Sequence, residues 1–166
     1  MSKFSGKVEA CSQNPENFDC LKECLPFNGK RTNVVIDAVR VIGLSLKESH
    51  SLLETSILSG LYYRITFGDR KFISAPVSGT SQSVWDRDSF ELKWTPAAEK
   101  ERLVIAVFDY DANRSDDFMG AIDIPVSELV FLKTGACRRR FKLGPTKSEK
   151  QQSRVPGELQ LNLHIT

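Results

Sequence analysis

Hydrophobic and polar residues alternate with a period of two along several short segments of the chain. The clearest cases are residues 90–94 and 159–165. Because successive side chains of a β-strand point to opposite faces, this alternation predicts strands with one buried face. Residues 34–42 and 62–67 are rich in valine, isoleucine and aromatic residues, and they predict two further half-buried strands.

One segment lacks the alternation. Residues 103–108 read Leu-Val-Ile-Ala-Val-Phe, an apolar run that predicts a central strand covered on both faces. Shorter strands are predicted at residues 121–126 and 138–143, and glycine, proline or serine clusters separate most neighbours. Helical patterns are few between these roughly eight strands, so the fold is predicted to be all-β, an eight-stranded antiparallel β-sandwich.

Three connections are too long to be simple turns, namely residues 45–60, 74–87 and 144–157. The last is polar and predicts a solvated loop. The first contains a capping-box pattern from Ser51 to Glu54, which predicts the start of a short helix. Four apolar residues of this first loop are candidates for contact with a partner protein, with a membrane or with the body of the domain: Leu52, Leu53, Ile57 and Leu58.

Residues 1–32 differ from the remainder, because they are polar and short of β-branched residues. We interpret them as an N-terminal extension that precedes a domain at residues 33–166. Asn14 is suited to cap a helix that has Pro15 at its first position. The extension is therefore predicted to contain one short helix.

The charge balance adds little to this picture. Lysine and arginine number 23 against 21 aspartate and glutamate residues, and the net charge of +2 excludes neither anionic membranes nor nucleic acid as partners. No run approaches the roughly 18 apolar residues of a membrane span, and the first ten residues lack the apolar core of a secretory signal. The four cysteines do not form the dense framework of a secreted scaffold. We therefore expect a cytoplasmic protein with reduced thiols.

The apolar run at residues 103–108 leads directly into a segment with four aspartates: Asp109, Asp111, Asp116 and Asp117. Burying these carboxylates without partners would be costly. The segment therefore predicts an exposed loop, a bound cation, or both.

The spacing within this segment resembles the third calcium-binding loop of C2 domains, the calcium- and phospholipid-binding modules of signalling and trafficking proteins. The resemblance lies in the sequence Phe-Asp-Tyr-Asp at residues 108–111, in Asp117 eight residues after Asp109, and in Phe-Met-Gly at residues 118–120. It extends over about residues 33–166. It implies the C2 β-sandwich in its permuted, type II strand order.

The same resemblance implies a calcium set of four carboxylates: Asp109, Asp111, Asp117 and, from the first long loop, Glu54. Calcium-binding members of the family carry an aspartate before a proline-tyrosine pair, where this chain has Gly60 and Leu61. Calcium takes six to eight oxygen ligands, so an incomplete set implies weak or vestigial binding. The alternative is that the aspartates pair with basic residues or cap turn amides.

Two groups of basic residues are candidate contacts for anionic lipids. Arg64, Arg70 and Lys71 match the place of the phosphoinositide-binding cluster of C2 domains, on a concave sheet face. A second group lies at residues 138–140. Each charge supplies about 1 kcal/mol near an anionic surface, and a solvated strand face is the alternative interpretation. Exposed aromatic residues do not accompany these charges as they do in nucleic-acid platforms, so no nucleic-acid partner is predicted.

No catalytic residues are predicted. The aspartate pair after an apolar strand also occurs in haloacid-dehalogenase-type phosphatases, but those enzymes need a parallel sheet interleaved with helices. An EF-hand is excluded because Arg114 and Gly120 occupy its glycine and glutamate positions. His50 and His164 lack a nucleophile motif, and both are interpreted as solvent-facing.

The expected function is that of a non-catalytic docking module that binds anionic membrane lipids peripherally, with weak or absent calcium dependence. The alternative is a calcium-independent scaffold that binds a protein through residues 1–32 and the enlarged first loop. The replacement of the usual ligand pair by Gly60 and Leu61 motivates this alternative. The domain is expected to be monomeric, with no cofactor other than weakly bound calcium.

Overall fold

The computed structural model describes residues 33–44, 60–78, 82–93, 100–110, 115–126, 137–146 and 157–165. These residues form ten β-strands: β1 (Val34–Ile42), β2 (Gly60–Phe67), β3 (Arg70–Ile73), β4 (Val77–Ser78), β5 (Gln82–Trp85), β6 (Phe90–Leu92), β7 (Arg102–Asp109), β8 (Asp117–Pro125), β9 (Cys137–Lys142) and β10 (Glu158–Ile165). Among the described residues, no helix is long and apolar enough to cross a membrane. The predicted N-terminal helix and the predicted helix of the first long loop lie outside them.

The strands form two sheets. The first sheet has the order β5-β1-β10-β9, with β6 also paired to β1, and the second has the order β3-β2-β7-β8, with β4 also paired to β2. Each of these pairings is antiparallel. The predicted antiparallel β-sandwich is therefore confirmed.

Ten strands fill eight positions, because two positions are each occupied by a pair of short strands. In the first sheet, β5 pairs with residues 39–42 of β1 and β6 pairs with residues 34–36. In the second sheet, β3 and β4 pair with different parts of β2 in the same way. Pro76 lies in the interruption between β3 and β4, where a missing backbone N–H costs no ladder bond.

The last strand occupies a central place in the first sheet. β10 lies between β1 and β9 and is antiparallel to both. A last strand that lies between the first strand and the strand before it is the permuted order that the C2 resemblance implies. Residues 7–10, where an additional early strand would have argued against this order, lie outside the described residues.

The core lies between the sheets and contains the residues that alternation predicts to face inward. From β10 these are Leu159, Leu161 and Leu163, and from β2 they include Leu61 and Ile65, all at most 1% exposed. The strand β7 explains the apolar run that lacks polar positions. Its residues Leu103, Ile105 and Val107 belong to the core, whereas Ala106 and Phe108 pack in a separate buried cluster with Phe118 and Ala121 on the other side of the sheet.

Some boundaries differ from the sequence prediction. β8 begins at Asp117 instead of residue 121, because its pairing with β7 continues past a register shift beside Val107 and Phe108. β4 and β5 lie within the connection predicted at residues 74–87. They have only two and four residues, too few to show a hydrophobic period.

Candidate functional site

The β7–β8 hairpin brings two of the predicted calcium ligands together. Asp109 ends β7, Asp117 begins β8, and the two are direct cross-strand partners with half-buried side chains. The backbone N–H of Tyr110 donates a 2.9 Å hydrogen bond to the carbonyl of Gly60, which attaches this end of the hairpin to the start of β2. Asp111 and Glu54, the other two members of the predicted set, lie outside the described residues.

A row of three aromatic residues supports the aspartates from the outer face of the second sheet. Tyr62, Phe108 and Phe118 are cross-strand neighbours on β2, β7 and β8. The rings of Tyr62 and Phe108 stack with centroids 5.3 Å apart, and Phe118 meets Phe108 edge-on at 5.8 Å. Such ring pairs stabilise a sheet beyond the area that they bury. The row therefore stabilises the end of the hairpin that carries the aspartates.

Asp116 has a hydrogen-bond partner that the sequence analysis did not foresee. The Tyr62 hydroxyl donates a 2.5 Å hydrogen bond to Asp116 Oδ2, across 54 positions of sequence. In the alternating pattern of β2, Tyr62 is one of the residues that face outward. This alternation was the signal in the sequence that could have placed its hydroxyl group near the end of the neighbouring strand. This contact shows that one carboxylate of the aspartate segment takes part in a protein hydrogen bond.

The described residues do not complete a calcium site by themselves. Within the described ranges, no three histidine, cysteine, aspartate or glutamate side chains are grouped so as to hold a metal ion. Asp109 and Asp117 supply two carboxylates, which is a minor share of the six to eight oxygens that calcium requires. Calcium binding through this hairpin therefore depends on further ligands.

Gly60 shows why one of those ligands is missing. It occupies the position at which the C2 resemblance expects an aspartate. A Cβ atom at Gly60 would lie 2.9 Å from Pro76 Cβ and 3.2 Å from the Val77 carbonyl oxygen. Both distances are shorter than ordinary contacts, so the approach of β4 to β2 leaves no room for a side chain here.

Two of the three predicted lipid contacts share the outer face of the second sheet. Arg64 lies opposite Ile73, and Thr66 lies opposite Lys71, so the side chains of Arg64, Lys71 and Ile73 occupy one face. Lys71 is exposed, and Ile73 is a large apolar side chain that is 56% exposed. The Arg64 guanidinium stands 4.8 Å from the centroid of the Phe108 ring. We call Arg64, Lys71 and Ile73 the β2–β3 patch.

The third predicted lipid contact, Arg70, lies elsewhere. It is the cross-strand partner of Phe67, so it belongs to the inward phase. Its guanidinium stands 4.7 Å from the Phe90 ring centroid, and Arg70 Nη1 donates a 2.5 Å hydrogen bond to the Glu91 carbonyl. Because both partners belong to β6, Arg70 links the edges of the two sheets and is separated from the β2–β3 patch.

This separation predicts different effects for two neighbouring charges. Arg70→Gln is expected to lower the free energy of unfolding by about 1–2 kcal/mol, because it removes a charge-assisted hydrogen bond and a cation–π contact. Lys71→Gln removes the same charge from an exposed side chain and is expected to change it by less than about 0.5 kcal/mol. Urea denaturation of both variants measures the difference, and equal stabilities would contradict the assignment of Arg70 to the sheet edges.

His164, interpreted from the sequence as solvent-facing, is partly exposed and contacts an acidic side chain. Its Nδ1 contacts Asp37 Oδ2, and its side chain is 30% exposed. Asp37 lies at the irregularity in the β1–β10 register between Ile36 and Ala38. This bulge redirects an acid toward the histidine and has no signal in the sequence. His50 lies outside the described residues, as do Leu52, Leu53, Ile57 and Leu58.

The strand order, the aspartate hairpin and the β2–β3 patch agree with one known family. The family model of the C2 domain matches residues 34–143. The chain belongs to the C2 domain family. C2 domains are docking modules that bind calcium and phospholipids, and the family is generally non-catalytic.

Solved C2-containing structures have the same fold as this chain. A calcium-bound structure of the two C2 domains, A and B, of extended synaptotagmin 2 is similar over 84% of this chain, with 22% identity and a TM-score of 0.59. The C2 domain designated A of a plant extended synaptotagmin 1 matches 81% of this chain and 95% of its own length, with 15% identity and a TM-score of 0.60. Human GIVD cytosolic phospholipase A2 matches 87% of this chain but 17% of its own length, with 17% identity and a TM-score of 0.58.

This chain spans about half of the extended synaptotagmin 2 structure, 47% of its length. Comparison with curated proteins gives no match. At these identities the structural likeness establishes the fold, and the function of this chain has to be argued from its own residues.

Proposed function

We propose that this C2 domain is a non-catalytic module that docks on anionic membranes in the cytoplasm through the β2–β3 patch, with little or no dependence on calcium. The observation that carries the proposal is the common face of Arg64, Lys71 and the exposed Ile73. In this patch an apolar side chain lies next to two cations. The cations suit the negatively charged lipid headgroups, and the apolar side chain suits the hydrocarbon beneath them.

The energetics support reversible binding. Each lysine or arginine near an anionic leaflet contributes about 1 kcal/mol, so the two cations of the patch alone give weak attraction. Partial insertion of Ile73 adds an apolar contribution, since about 25 cal/mol is gained per Å² of apolar surface removed from water. The Phe108 ring beneath Arg64 holds that guanidinium on the outer face, which lowers the entropy cost of binding.

Two features of the aspartate hairpin support weak or absent calcium dependence. Gly60 has no space for the carboxylate that calcium-binding relatives place there. Asp116 accepts a hydrogen bond from Tyr62 and belongs to the protein's own network. Asp109 and Asp117, together with Asp111 and Glu54, remain the proposed weak or vestigial calcium set.

Cosedimentation with vesicles tests the proposal. We expect the protein to bind vesicles of phosphatidylcholine with about 30% phosphatidylserine and not vesicles of phosphatidylcholine alone. The double variant Arg64→Gln/Lys71→Gln is expected to bind about tenfold or more weakly, because it loses both cations of the patch. Addition of millimolar calcium is expected to change the bound fraction little.

A matched control distinguishes the patch from overall charge. The double variant Lys93→Gln/Lys142→Gln removes two exposed charges on the side of the first sheet and is expected to bind like the native protein. Equal losses in the two double variants would contradict docking through the β2–β3 patch. A large increase in binding with calcium would contradict calcium independence.

The scaffold alternative depends on residues 1–32 and on the first long loop, both outside the described residues, and it stays a prediction. Deleting residues 1–32 and comparing the proteins captured from cells measures it. An unchanged set of captured proteins would argue against this alternative.

A further inference from the structure

The strand β3 forms one edge of the second sheet. Among the described residues it pairs with β2 and with no other strand. Arg70, Lys71 and Ile73 of this strand are exposed, and Phe72 is half-buried. An edge strand presents backbone N–H and C=O groups with which another extended segment can pair. β3 is therefore a candidate surface for a partner strand.

The hydrogen-bond pattern shows which backbone groups of β3 point to the free edge. The Ser74 N–H donates a 3.0 Å hydrogen bond to the Tyr63 carbonyl, so these residues form a hydrogen-bonded pair at the end of the β2–β3 ladder. Hydrogen-bonded and non-hydrogen-bonded pairs alternate along an antiparallel ladder. Phe72 therefore bonds to β2, whereas the N–H and C=O groups of Lys71 and Ile73 point away from it.

The free edge is short and has defined ends. Within the described ranges, no group forms a hydrogen bond with the outward backbone groups of Lys71 and Ile73. The carbonyl of Ala75, further along the chain, accepts a 2.8 Å hydrogen bond from Trp85 Nε1. The turn at residues 68–69 closes the other end. An added strand can therefore form two backbone hydrogen bonds at Lys71 and two at Ile73.

The side chains beside this edge favour an acidic segment. Lys71 and Ile73 share the outer face with Arg64, and Ile73 is 56% exposed. In the part of the chain that the structure describes, Lys71 has no ion pair. A residue of an added strand opposite Lys71 lies about 5 Å from it, where an opposite charge is favourable, and an apolar residue suits the position opposite Ile73. In an antiparallel strand the apolar residue comes two positions before the acid.

The same side chains disfavour a second copy of this chain as the partner. Two β3 strands paired about a two-fold axis would bring together Arg64, Arg70 and Lys71 of both copies, and like charges on neighbouring strands are destabilising. Lysine on an edge strand is a common protection against such self-pairing. It does not prevent pairing with an acidic strand, which it attracts.

We propose that β3 binds an extended acidic segment of a protein partner, which pairs with Lys71 and Ile73 as an additional antiparallel strand of the second sheet. Main-chain hydrogen bonds provide the affinity, and the side chains opposite Lys71 and Ile73 provide the specificity. This interaction uses backbone groups and goes beyond lipid docking. The added strand also neutralises Lys71 of the β2–β3 patch, so the partner and anionic vesicles compete. That one consequence rests on the proposed function.

Nuclear magnetic resonance of the full chain tests the strand addition without membranes. The probe is the peptide Thr-Val-Thr-Glu-Thr-Thr, capped at both ends, which has valine two positions before glutamate. We expect the backbone amide signals of Lys71 and Ile73 to shift and to saturate. Exchange of these two amides with deuterium is expected to slow about tenfold or more at saturation, whereas the Phe72 amide, which β2 already protects, is expected to change less than about threefold.

N-methylated peptides test the pairing without changing the protein. Methylation of the valine or glutamate nitrogen removes a hydrogen bond to β3 and is expected to weaken binding about tenfold. The nitrogen of the threonine between them points away from β3, and its methylation is expected to weaken binding less than about threefold. Equal losses at the three positions, or Lys71 and Ile73 signals that do not move, would overturn the strand addition.

A charge reversal tests the register. Lys71→Glu is expected to reverse the preference between this peptide and one in which lysine replaces the glutamate, because the changed residue lies directly opposite. Lys142→Glu is the matched control, since Lys142 is an exposed lysine on an edge strand of the first sheet, and it is expected to leave the preference unchanged within about twofold. Equal effects of the two variants would overturn the proposed register.

Vesicle cosedimentation with the peptide present separates this inference from the proposed function. A saturating amount of the glutamate peptide is expected to lower the fraction bound to phosphatidylserine vesicles severalfold. Peptide binding that protects the Lys71 and Ile73 amides but leaves vesicle binding unchanged would overturn the competition and argue against the β2–β3 patch as the membrane surface. Vesicle binding that requires Arg64 and Lys71, without any binding of the peptide, would overturn the strand addition and leave membrane docking in place.

Discussion

Gly60→Asp is expected to lower the free energy of unfolding by about 2–4 kcal/mol and to leave the domain without a functional calcium site. The change restores the carboxylate that calcium-binding C2 domains have at this position. Its Cβ atom would lie 2.9 Å from Pro76 Cβ and 3.2 Å from the Val77 carbonyl oxygen. The backbone of β2 or β4 has to move to relieve these contacts. That movement also disturbs the hydrogen bond between the Tyr110 N–H and the Gly60 carbonyl, which fixes the aspartate hairpin.

Chemical denaturation and thermal denaturation with and without millimolar calcium measure both parts of this prediction. Gly144→Asp is the matched control, because among the described residues no atom other than those of its chain neighbours lies within 4 Å of a Cβ at Gly144, and it is expected to cost less than about 0.5 kcal/mol. A Gly60→Asp protein with native stability and a calcium-dependent rise in melting temperature would show that the carboxylate can be accommodated. A ligand that binds the folded state must raise its stability, so the melting curve reports binding directly.

The fold was predictable because its signals are local. Alternating residues in β2 and β10, and the unbroken apolar run in β7, follow from the period of a strand and from burial on one or both faces. The short strands β4 and β5 were missed because their positions depend on pairing with β2 and β1, which the sequence does not display. Long-range pairing similarly decides where β8 begins.

The position of Arg70 shows what a local pattern could still have revealed. Gly68 and Asp69 form the two-residue connection between β2 and β3, and Gly68 has a positive φ of 55°. A two-residue hairpin makes Phe67 and Arg70 direct partners, which places Arg70 in the inward phase and Lys71 in the outward one. Adjacent basic residues on a strand cannot share a face, and this rule alone separates Arg70 from Lys71.

The candidate sites were less predictable than the fold, because they are assembled from distant strands. The spacing shared with the C2 family predicted that Asp109 and Asp117 belong to one calcium set. The contact of Tyr62 with Asp116 and the outward backbone groups of Lys71 and Ile73 depend instead on cross-strand register. Register is fixed by the whole hydrophobic pattern of a sheet, not by any one segment.

Tyr63→Phe is expected to lower the free energy of unfolding by about 1–3 kcal/mol at neutral pH, because it removes the partner of a polar group within the sandwich. Tyr63 is 1% exposed, and its hydroxyl donates a 2.7 Å hydrogen bond to Asp88 Oδ2. Its ring meets Trp85 edge-on with centroids 5.0 Å apart, and phenylalanine retains this packing. The variant therefore isolates the hydroxyl group.

The same residue predicts how stability depends on alkaline pH. Burial raises the pKa of Tyr63 far above its ordinary value near 10, and the hydrogen bond to Asp88 and the charge of Asp88 raise it further. Above about pH 10 the unfolded chain loses this proton while the folded protein keeps it, so Tyr63 makes stability fall by up to about 1.4 kcal/mol per pH unit. Tyr63→Phe lacks this dependence, so the stability gap between native protein and variant is expected to narrow as pH rises from about 9 to about 11.5.

Urea denaturation across this pH range measures the gap, and the difference between the two proteins cancels the titration of their other groups. Tyr110→Phe is the control for loss of a tyrosine hydroxyl, since Tyr110 is 46% exposed, and it is expected to change the free energy of unfolding little at neutral pH. A gap for Tyr63→Phe that stays constant across the range would mean that Tyr63 ionises as readily in the folded protein as in the unfolded chain. The hydroxyl would then have access to solvent, and the closed packing of Tyr63 between the sheets would be wrong.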